Sequence, residues 1–270
     1  MINKEMNEMA ERTYTLSKRN SIFEKYITID SNIEILPLTH KKDWFTADKT
    51  IEDGIIDTQL CDVFGENLEY LFYGRPAYYV SYNIGTRSDD TYLPVCFVLN
   101  PQRIRIHYIF PFDTGAFANK MYDDFMHEKM DINSFQLPQS IDSVKDFIYL
   151  FYENNDNYYK SKPAKQIESN DLPFEIKAYQ NMIKNLGATS YDSRCRTIEI
   201  ITREKINLYE SLEAIILPTD MARTEKFKEF HKSNKKIKII TYDTFGDEPG
   251  SYNSTIRDKM YIYLRDNNYL

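Results

Sequence analysis

The sequence predicts an α+β protein, in which strands predominate and helices are inserted between them. Two apolar runs, residues 92–100 and 212–217, have the length and continuity of buried strands. Segments 174–186 and 224–233 have the pattern of helices, and the second of these is amphipathic and basic. Because strands and helices are mixed along the chain and strands predominate, the order of elements indicates the α+β class.

The remaining elements are predicted from local patterns and from residues that end helices and strands. Alternation in residues 21–38, which include Tyr26-Ile-Thr-Ile, predicts a strand or hairpin. A helix over 43–51 is predicted to end near Gly54, a residue suited to the C-terminal cap. The other predicted elements are a strand over 68–73 that ends at Gly74-Arg75-Pro76, a strand over 103–110, helices over 115–126 and 143–153, a polar surface loop over 154–170, and strands over 197–201 and 236–242.

Composition limits the functional classes that the chain can belong to. The 270 residues are 42% hydrophobic and 28% charged, values typical of a globular protein with a sizeable core. The net charge of −7 argues against a broad nucleic-acid footprint but allows one local basic groove. No apolar stretch approaches the roughly 18 residues of a membrane span, and the amino terminus is polar. We therefore expect a cytoplasmic protein with no membrane partner.

Several common catalytic motifs are missing from the sequence. There is no Gly-x-Ser-x-Gly elbow, no Walker loop and no Gly-x-Gly-x-x-Gly motif. The three cysteines are far apart, and the histidines lack the spacing of metal ligands, so no metal site is predicted. Cys195 between two arginines is a weak candidate nucleophile, because no histidine partner can be assigned to it.

The most informative segment contains Glu199 inside the apolar run Thr197-Ile-Glu-Ile-Ile201. In a strand, Glu199 shares a face with Thr197 and Ile201, whereas the flanking isoleucines lie on the other face. A carboxylate in this place must reach water or be paired, since burying it alone costs several kcal/mol. Arg194 and Arg196 are possible partners. The glutamate is therefore either catalytic or part of a structural ion pair.

A second segment, Tyr73-Gly-Arg-Pro-Ala-Tyr-Tyr79, predicts a sharp turn that presents Arg75 among tyrosines. Glycine permits a positive φ, and proline fixes the backbone and removes a donor. The turn is either an ordinary turn with a surface arginine or an aromatic and cationic corner for a phosphate-bearing ligand. The high aromatic content, with 22 Tyr and 16 Phe, favours a tyrosine-rich core and surface, and stacking surfaces for a ring-bearing ligand are the alternative.

Taken in order, these segments resemble the ADP-ribosyltransferase fold, and most closely the DarT-type enzymes that modify nucleic-acid bases. The resemblance is carried by Thr39-His40, Thr50-Ile-Glu-Asp-Gly54-Ile-Ile, Phe72-Tyr-Gly-Arg-Pro-Ala-Tyr78 and Arg196-Thr-Ile-Glu199-Ile-Ile. It spans residues 30–242 and implies a split β-sheet core with inserted helices. Residues 1–29 are then an N-terminal extension, and residues 243–270 a C-terminal segment that packs on the domain.

The resemblance implies a glycosyltransferase that cleaves the nicotinamide–ribose bond of NAD and transfers ADP-ribose to an acceptor. Glu199 is then the catalytic residue that stabilises the oxocarbenium-like ribose, as in glycoside hydrolysis. Arg75 pairs with the pyrophosphate or holds the loop that presents the acceptor. NAD is bound by Tyr73 and Tyr78, which stack on nicotinamide, and by Thr39 and His40, the latter bonding the adenosine ribose.

The resemblance also implies partners. The acceptor is a macromolecule such as DNA or RNA, and the family analogy implies a bacterial toxin or phage-defence effector with an antitoxin protein. The Glu-x-Glu pattern of arginine-modifying relatives is absent, because Thr197 stands two residues before Glu199. This argues against arginine as the acceptor.

Two other classes of function stay open. The chain could be a Mg²⁺-dependent nuclease that uses Asp192 and Glu199, although the lysine expected two residues after the glutamate is replaced by Ile201. It could also be a catalytically inactive binding module, in which Glu199 is ion-paired to Arg194 or Arg196.

Overall fold

The computed structural model describes residues 14–15, 22–27, 31–77, 89–164, 167–168, 171–185 and 193–270. It is an α+β protein with mostly antiparallel strands, as predicted. The strands are β1 (Leu38–Asp43), β2 (Ile55–Ile56), β3 (Gln59–Cys61), β4 (Glu66–Tyr73), β5 (Pro94–Leu99), β6 (Tyr108–Phe110), β7 (Glu199–Thr202), β8 (Ile206–Asn207), β9 (Leu212–Pro218) and β10 (Lys238–Tyr242). The helices are α1 (Trp44–Asp53), α2 (Thr114–Ala118), α3 (Ile141–Tyr152), α4 (Asn155–Tyr159), α5 (Phe174–Asn185), α6 (Leu208–Ser211), α7 (Thr219–Ala222), α8 (Glu225–Ser233) and α9 (Tyr252–Asp266).

The chain divides into two compact units, each assembled from three segments. The first unit comprises residues 1–33, 58–69 and 106–203. The second unit comprises residues 34–57, 70–105 and 204–270. The boundary between the two units falls within β4: residues 66–69 belong to the first unit and residues 70–73 to the second.

The second unit contains a sheet with the strand order β10-β9-β5-β1-β4. Strand β1 pairs antiparallel with β5 from Leu38↔Leu99 onward and with β4 at Leu38↔Tyr73 and Thr39↔Phe72. Strand β5 also pairs antiparallel with β9, whereas β9 and β10 are parallel. All six residues of β5 are buried, as expected of its continuous apolar sequence. Helix α9 packs on β5, β9 and β10, so the C-terminal segment is part of this unit.

The first unit is built around an aromatic core. Strand β3 pairs with the beginning of β4, and β6 pairs antiparallel with β7. Helix α3 supplies Phe147 and Phe151 to this core, and helix α5 supplies Tyr179. Edge-to-face and tilted contacts, with centroids 4.7–6.5 Å apart, join Phe23, Phe112, Phe117, Phe135, Phe147, Phe151 and Tyr179. Much of the high aromatic content therefore serves the core.

Some element boundaries differ from the prediction. A strand or hairpin was expected within 21–38; residues 22–26 form turns instead, and among the described residues of this range only Leu38 lies in a strand. The strand expected over 103–110 is short, because Arg103 ends a 3₁₀ turn. The helix expected over 115–126 ends at Ala118 and continues as turns.

The prediction of a polar surface loop over 154–170 is wrong at its start. Residues Asn155–Tyr159 form helix α4, and its two tyrosines are buried. The Tyr158 hydroxyl accepts a hydrogen bond from the backbone N–H of Ile198, 3.0 Å away. Because their neighbours in the sequence are polar, Tyr158 and Tyr159 were not predicted to be core residues.

Helix α1 begins and ends as its sequence predicts. The Asp43 carboxylate accepts a hydrogen bond from the Thr46 N–H at 2.8 Å, which caps the N-terminus. Gly54 at the C-terminus has φ 67°, a left-handed conformation that favours glycine. A Cβ atom at Gly54 would also collide with the ring of Tyr209.

We expect Gly54→Ala to destabilise the protein by more than Gly65→Ala. Both glycines have positive φ, but a Cβ at Gly65 would meet nothing within 4 Å. Gly65→Ala should therefore cost only the backbone strain, about 1 kcal/mol, whereas Gly54→Ala adds the collision with Tyr209. Thermal unfolding measures the difference, and the double variant with Tyr209→Ala should recover part of it. Equal losses in the two single variants would show that Tyr209 adapts freely.

Candidate active site

Glu199 is the first residue of β7 and lies opposite Phe110 in β6. Only 1% of its surface is exposed, and the other three residues of β7 are buried as well. A strand at Glu199 is therefore confirmed, although it begins two residues later than predicted. Among the described residues, no cation lies within ion-pair distance of this carboxyl group, so the alternative of a structural ion pair with Arg194 or Arg196 is not realised.

The Glu199 carboxyl group is held instead by Thr114, the first residue of helix α2. The Thr114 backbone N–H donates to Glu199 Oε2 at 3.1 Å, and the Thr114 hydroxyl donates to the same oxygen at 2.7 Å. Both residues belong to the first unit. A buried carboxyl group is thus partly compensated by two donors rather than by a counter-ion.

Asp113 is the second buried acid of the site. Its Oδ1 accepts a hydrogen bond from the Ala116 N–H at 2.6 Å and so caps helix α2. Its Oδ2 lies 3.4 Å from Arg194 Nη1, and its own N–H donates to the Arg194 carbonyl at 3.2 Å. Arg194 therefore pairs with Asp113, while Arg196 reaches the Ser161 carbonyl at 3.4 Å.

The surroundings of Glu199 raise its pKa well above that of a glutamate in water. Burial is the largest cause, and the negative charge of Asp113 adds to it. The two Thr114 hydrogen bonds and the charge of Arg194 lower the pKa and oppose these effects in part. A carboxyl group with a strongly perturbed pKa beside a second acid is typical of catalytic sites.

Sequence reasoning missed Asp113 and Thr114. The signal was present, because Asp113-Thr-Gly-Ala follows a strand and precedes a helical segment, as helix caps do. What the sequence could not show is that this cap faces Glu199, 85 residues further along the chain. That proximity comes from the pairing of β6 with β7.

The predicted NAD-binding residues of the second unit meet where β1 pairs with β4. The Thr39 hydroxyl lies 2.8 Å from the Arg75 carbonyl and 3.1 Å from the Phe72 carbonyl, and donates to one at a time. The N–H of Gly74, whose φ is 66°, donates to the Pro37 carbonyl at 2.9 Å. Strand β1 thus holds the Gly-Arg-Pro turn in place.

Arg75 is 3% exposed, so it is not the surface arginine of an ordinary turn. Its N–H donates to the Tyr73 carbonyl at 2.7 Å, and its carbonyl accepts from the Ala77 N–H at 2.8 Å. These two bonds tighten the turn on both sides of Arg75. The sharp turn predicted from the sequence is therefore confirmed.

Tyr73 and His40 are also buried. Tyr73 has no exposed surface, and its hydroxyl accepts a hydrogen bond from the Leu36 N–H at 2.8 Å. Its ring belongs to the core and presents no open face on which nicotinamide could stack. Tyr78, the other predicted stacking residue, lies outside the described residues.

His40 is neutral at physiological pH. Burial lowers its pKa to about 3, and the nearby charge of Lys42 contributes. Its Nδ1 lies 3.1 Å from the Tyr70 carbonyl, which can only accept a hydrogen bond. Nδ1 therefore carries the proton, and Nε2 is the accepting nitrogen.

The described residues contain no group of three or more His, Cys, Asp or Glu side chains arranged to hold a metal ion. Asp192, the partner of Glu199 in the nuclease interpretation, lies outside these residues. A surface groove of about 580 Å³ does occur in the second unit, beside α1. It contains none of the predicted site residues, since it is lined by Trp44, Phe45, Asp48, Lys49, Glu52, Asp53, Asp90 and Thr91.

Searches against known protein families, curated proteins and solved structures found no match to this chain. In the described part of the chain, no helix combines the length and the apolar character that crossing a membrane requires.

We expect Glu199→Gln to stabilise the protein at pH 8 and to change its stability little at pH 4. The folded-state pKa of Glu199 is raised, so the folded state binds the proton more tightly than the unfolded state. Stability is therefore lost as the pH rises from the unfolded value towards the raised one, at about 1.4 kcal/mol per pH unit. Glutamine never ionises, and its amide oxygen can accept both Thr114 bonds.

Thermal unfolding of both proteins from pH 4 to pH 8 measures this effect. Glu128→Gln removes an exposed carboxylate of the same unit and is the matched control. A pH-independent difference between Glu199→Gln and the wild-type protein would contradict the raised pKa.

Proposed function

We propose that this protein is an ADP-ribosyltransferase, which cleaves the nicotinamide–ribose bond of NAD and transfers ADP-ribose to a macromolecular acceptor. The order of the Thr-His, Gly-Arg-Pro and Arg-x-x-Glu motifs supports a core of the ADP-ribosyltransferase type. The observation that carries the proposal is Glu199, an ionisable group kept in a buried strand with donors but no ion-pair partner among the described residues. Such a group costs stability and is typical of a site that needs its charge.

The proposed reaction breaks one glycosidic bond and forms another. The electron pair of the nicotinamide–ribose bond leaves with nicotinamide and neutralises its ring, so positive charge develops on the ribose carbon. The acceptor then attacks this carbon and loses a proton. Ionised Glu199 would hydrogen-bond the ribose hydroxyl, stabilise the positive charge and take the proton of the acceptor.

The second unit would bind NAD. His40 would bond the adenosine ribose through Nε2, its accepting nitrogen, and this requires the buried Nε2 to become accessible when NAD binds. The burial of Arg75 within the turn favours the role of holding the loop over that of pairing with the pyrophosphate. Thr39 would hold the same loop through its hydroxyl. Of the two tyrosines, Tyr78 is the one we propose to stack on nicotinamide.

The acceptor is proposed by class only. A nucleic-acid acceptor is compatible with the net charge of −7 if one local basic groove of the protein binds the DNA or RNA strand. A base would have to be single-stranded or flipped out to be modified. The role of a toxin or phage-defence effector with an antitoxin partner is part of the same proposal.

Glu199→Gln is expected to lower the rate of nicotinamide release from NAD by at least about 100-fold, because glutamine cannot carry the stabilising charge. The assay measures nicotinamide by chromatography and labelled ADP-ribose on DNA, RNA and lysate protein. Glu213→Gln, which alters a half-buried glutamate of strand β9, should retain wild-type activity. A wild-type protein that neither releases nicotinamide nor transfers label, beside an active control enzyme, would refute the proposal.

The pH dependence of kcat/KM should report the raised pKa of Glu199 in the free enzyme. Only the ionised carboxyl group stabilises the positive ribose, so kcat/KM should rise with pH up to the raised pKa and then level off. For a glutamate of ordinary pKa, the rise would be complete near pH 5.5. A profile that is flat from pH 5.5 to pH 8 would show that ionisation of Glu199 does not limit the reaction.

A second candidate is a catalytically inactive binding module of the same fold. It is favoured by the 1% exposure of Glu199, because a catalytic carboxyl group must reach the ribose. Calorimetry with NAD separates the two candidates when combined with the release assay. Heat of binding without nicotinamide release would identify the binding module.

A further inference from the structure

The two hydrogen bonds from Thr114 converge on a single oxygen of Glu199. The backbone N–H and the side-chain hydroxyl lie 3.1 Å and 2.7 Å from Oε2, and no other donor to this carboxyl group occurs among the described residues. A carboxylate oxygen that accepts two donors has its in-plane lone pairs occupied. The other oxygen, Oε1, therefore carries the proton of the neutral acid and accepts bonds in the ionised form.

Thr114 is itself fixed from several directions. Asp113 immediately before it caps α2 through the Ala116 N–H and lies 3.4 Å from Arg194 Nη1. The Asp113 N–H also donates to the Arg194 carbonyl, and Thr114 as a whole residue is 1% exposed. Thr114 cannot move away from Glu199 without breaking the cap or these bonds. Its two donors are pre-oriented rather than recruited when a ligand binds.

We propose that Thr114 is a positioning residue for Glu199. Thr114 holds Oε2 of the carboxyl group and thereby leaves Oε1 as the oxygen that meets the ribose hydroxyl. This proposal rests on the proposed function, because it assigns the reacting oxygen of the same carboxyl group. The charged groups that act on Glu199 are Asp113 and Arg194. Thr114 is uncharged and acts on Glu199 through its two hydrogen bonds.

The test compares Thr114→Val, Thr114→Ser and Thr50→Val. Valine keeps the shape of threonine but removes the hydroxyl, whereas serine restores it. Thr50 is the matched control, because its buried hydroxyl donates to the Thr46 carbonyl within α1, at 2.9 Å, in the second unit. Thermal unfolding first establishes that each variant is folded.

The first measurement does not require activity. In protein labelled with ¹³C at the glutamate carboxyl carbons, the Glu199 signal is identified by its loss in Glu199→Gln. Thr114→Val should move the titration midpoint of this signal to higher pH, because the lost hydroxyl bond stabilised the ionised form. Thr114→Ser and Thr50→Val should leave the midpoint where it is. An unmoved midpoint in Thr114→Val would overturn the proposal.

The second measurement is NAD turnover. Thr114→Val should lower kcat by roughly 10- to 100-fold, the effect of losing one hydrogen bond to a charged group, with a smaller change in KM. Thr114→Ser should recover most of the loss. A kcat that is unchanged in Thr114→Val, or lowered equally in Thr50→Val, would overturn the assignment. If the midpoint moves but the wild-type protein does not use NAD, the positioning of Glu199 stands and the proposed function fails.

Discussion

The hydrogen bonds from Thr114 to Glu199 are the interaction on which the candidate site depends. They connect the start of β7 to the start of α2 and compensate part of the cost of burying a carboxyl group. Without them, the carboxyl group would lack a donor among the described residues. The site also needs Asp113, since its cap holds the Thr114 N–H at the position from which it donates.

The second unit fixes its own turn by the same physical means. The Thr39 hydroxyl of β1 donates to the Arg75 carbonyl, and the carbonyl of Pro37, just before β1, accepts from the Gly74 N–H, so the backbone of the turn has little freedom. Tyr73 contributes through its hydroxyl and its buried ring. In both units, a buried polar group sets geometry because leaving it unpaired would be costly.

Local signals in the sequence predicted much of the fold. Helix α1 follows from its Asp43 cap and the glycine at its end, and strands β5 and β9 follow from continuous apolar runs. The predictions failed where local pattern and burial disagree. Tyr158 is buried within a polar segment, and residues 22–26, where a strand or hairpin was expected, form turns. Tertiary packing overrides local preference at such places.

For the candidate site, the sequence by itself determined that Glu199 lies in a strand and that the chain turns at Gly74-Arg75-Pro76. Both follow from patterns a few residues long, namely an acid in an apolar run and glycine followed by Arg-Pro. Only the tertiary structure decided the partners of these residues. Thr114 contacts Glu199 because β6 pairs with β7, and Arg194 forms an ion pair with Asp113 rather than with Glu199. Contacts between residues some 80 positions apart depend on strand register, which no local pattern encodes.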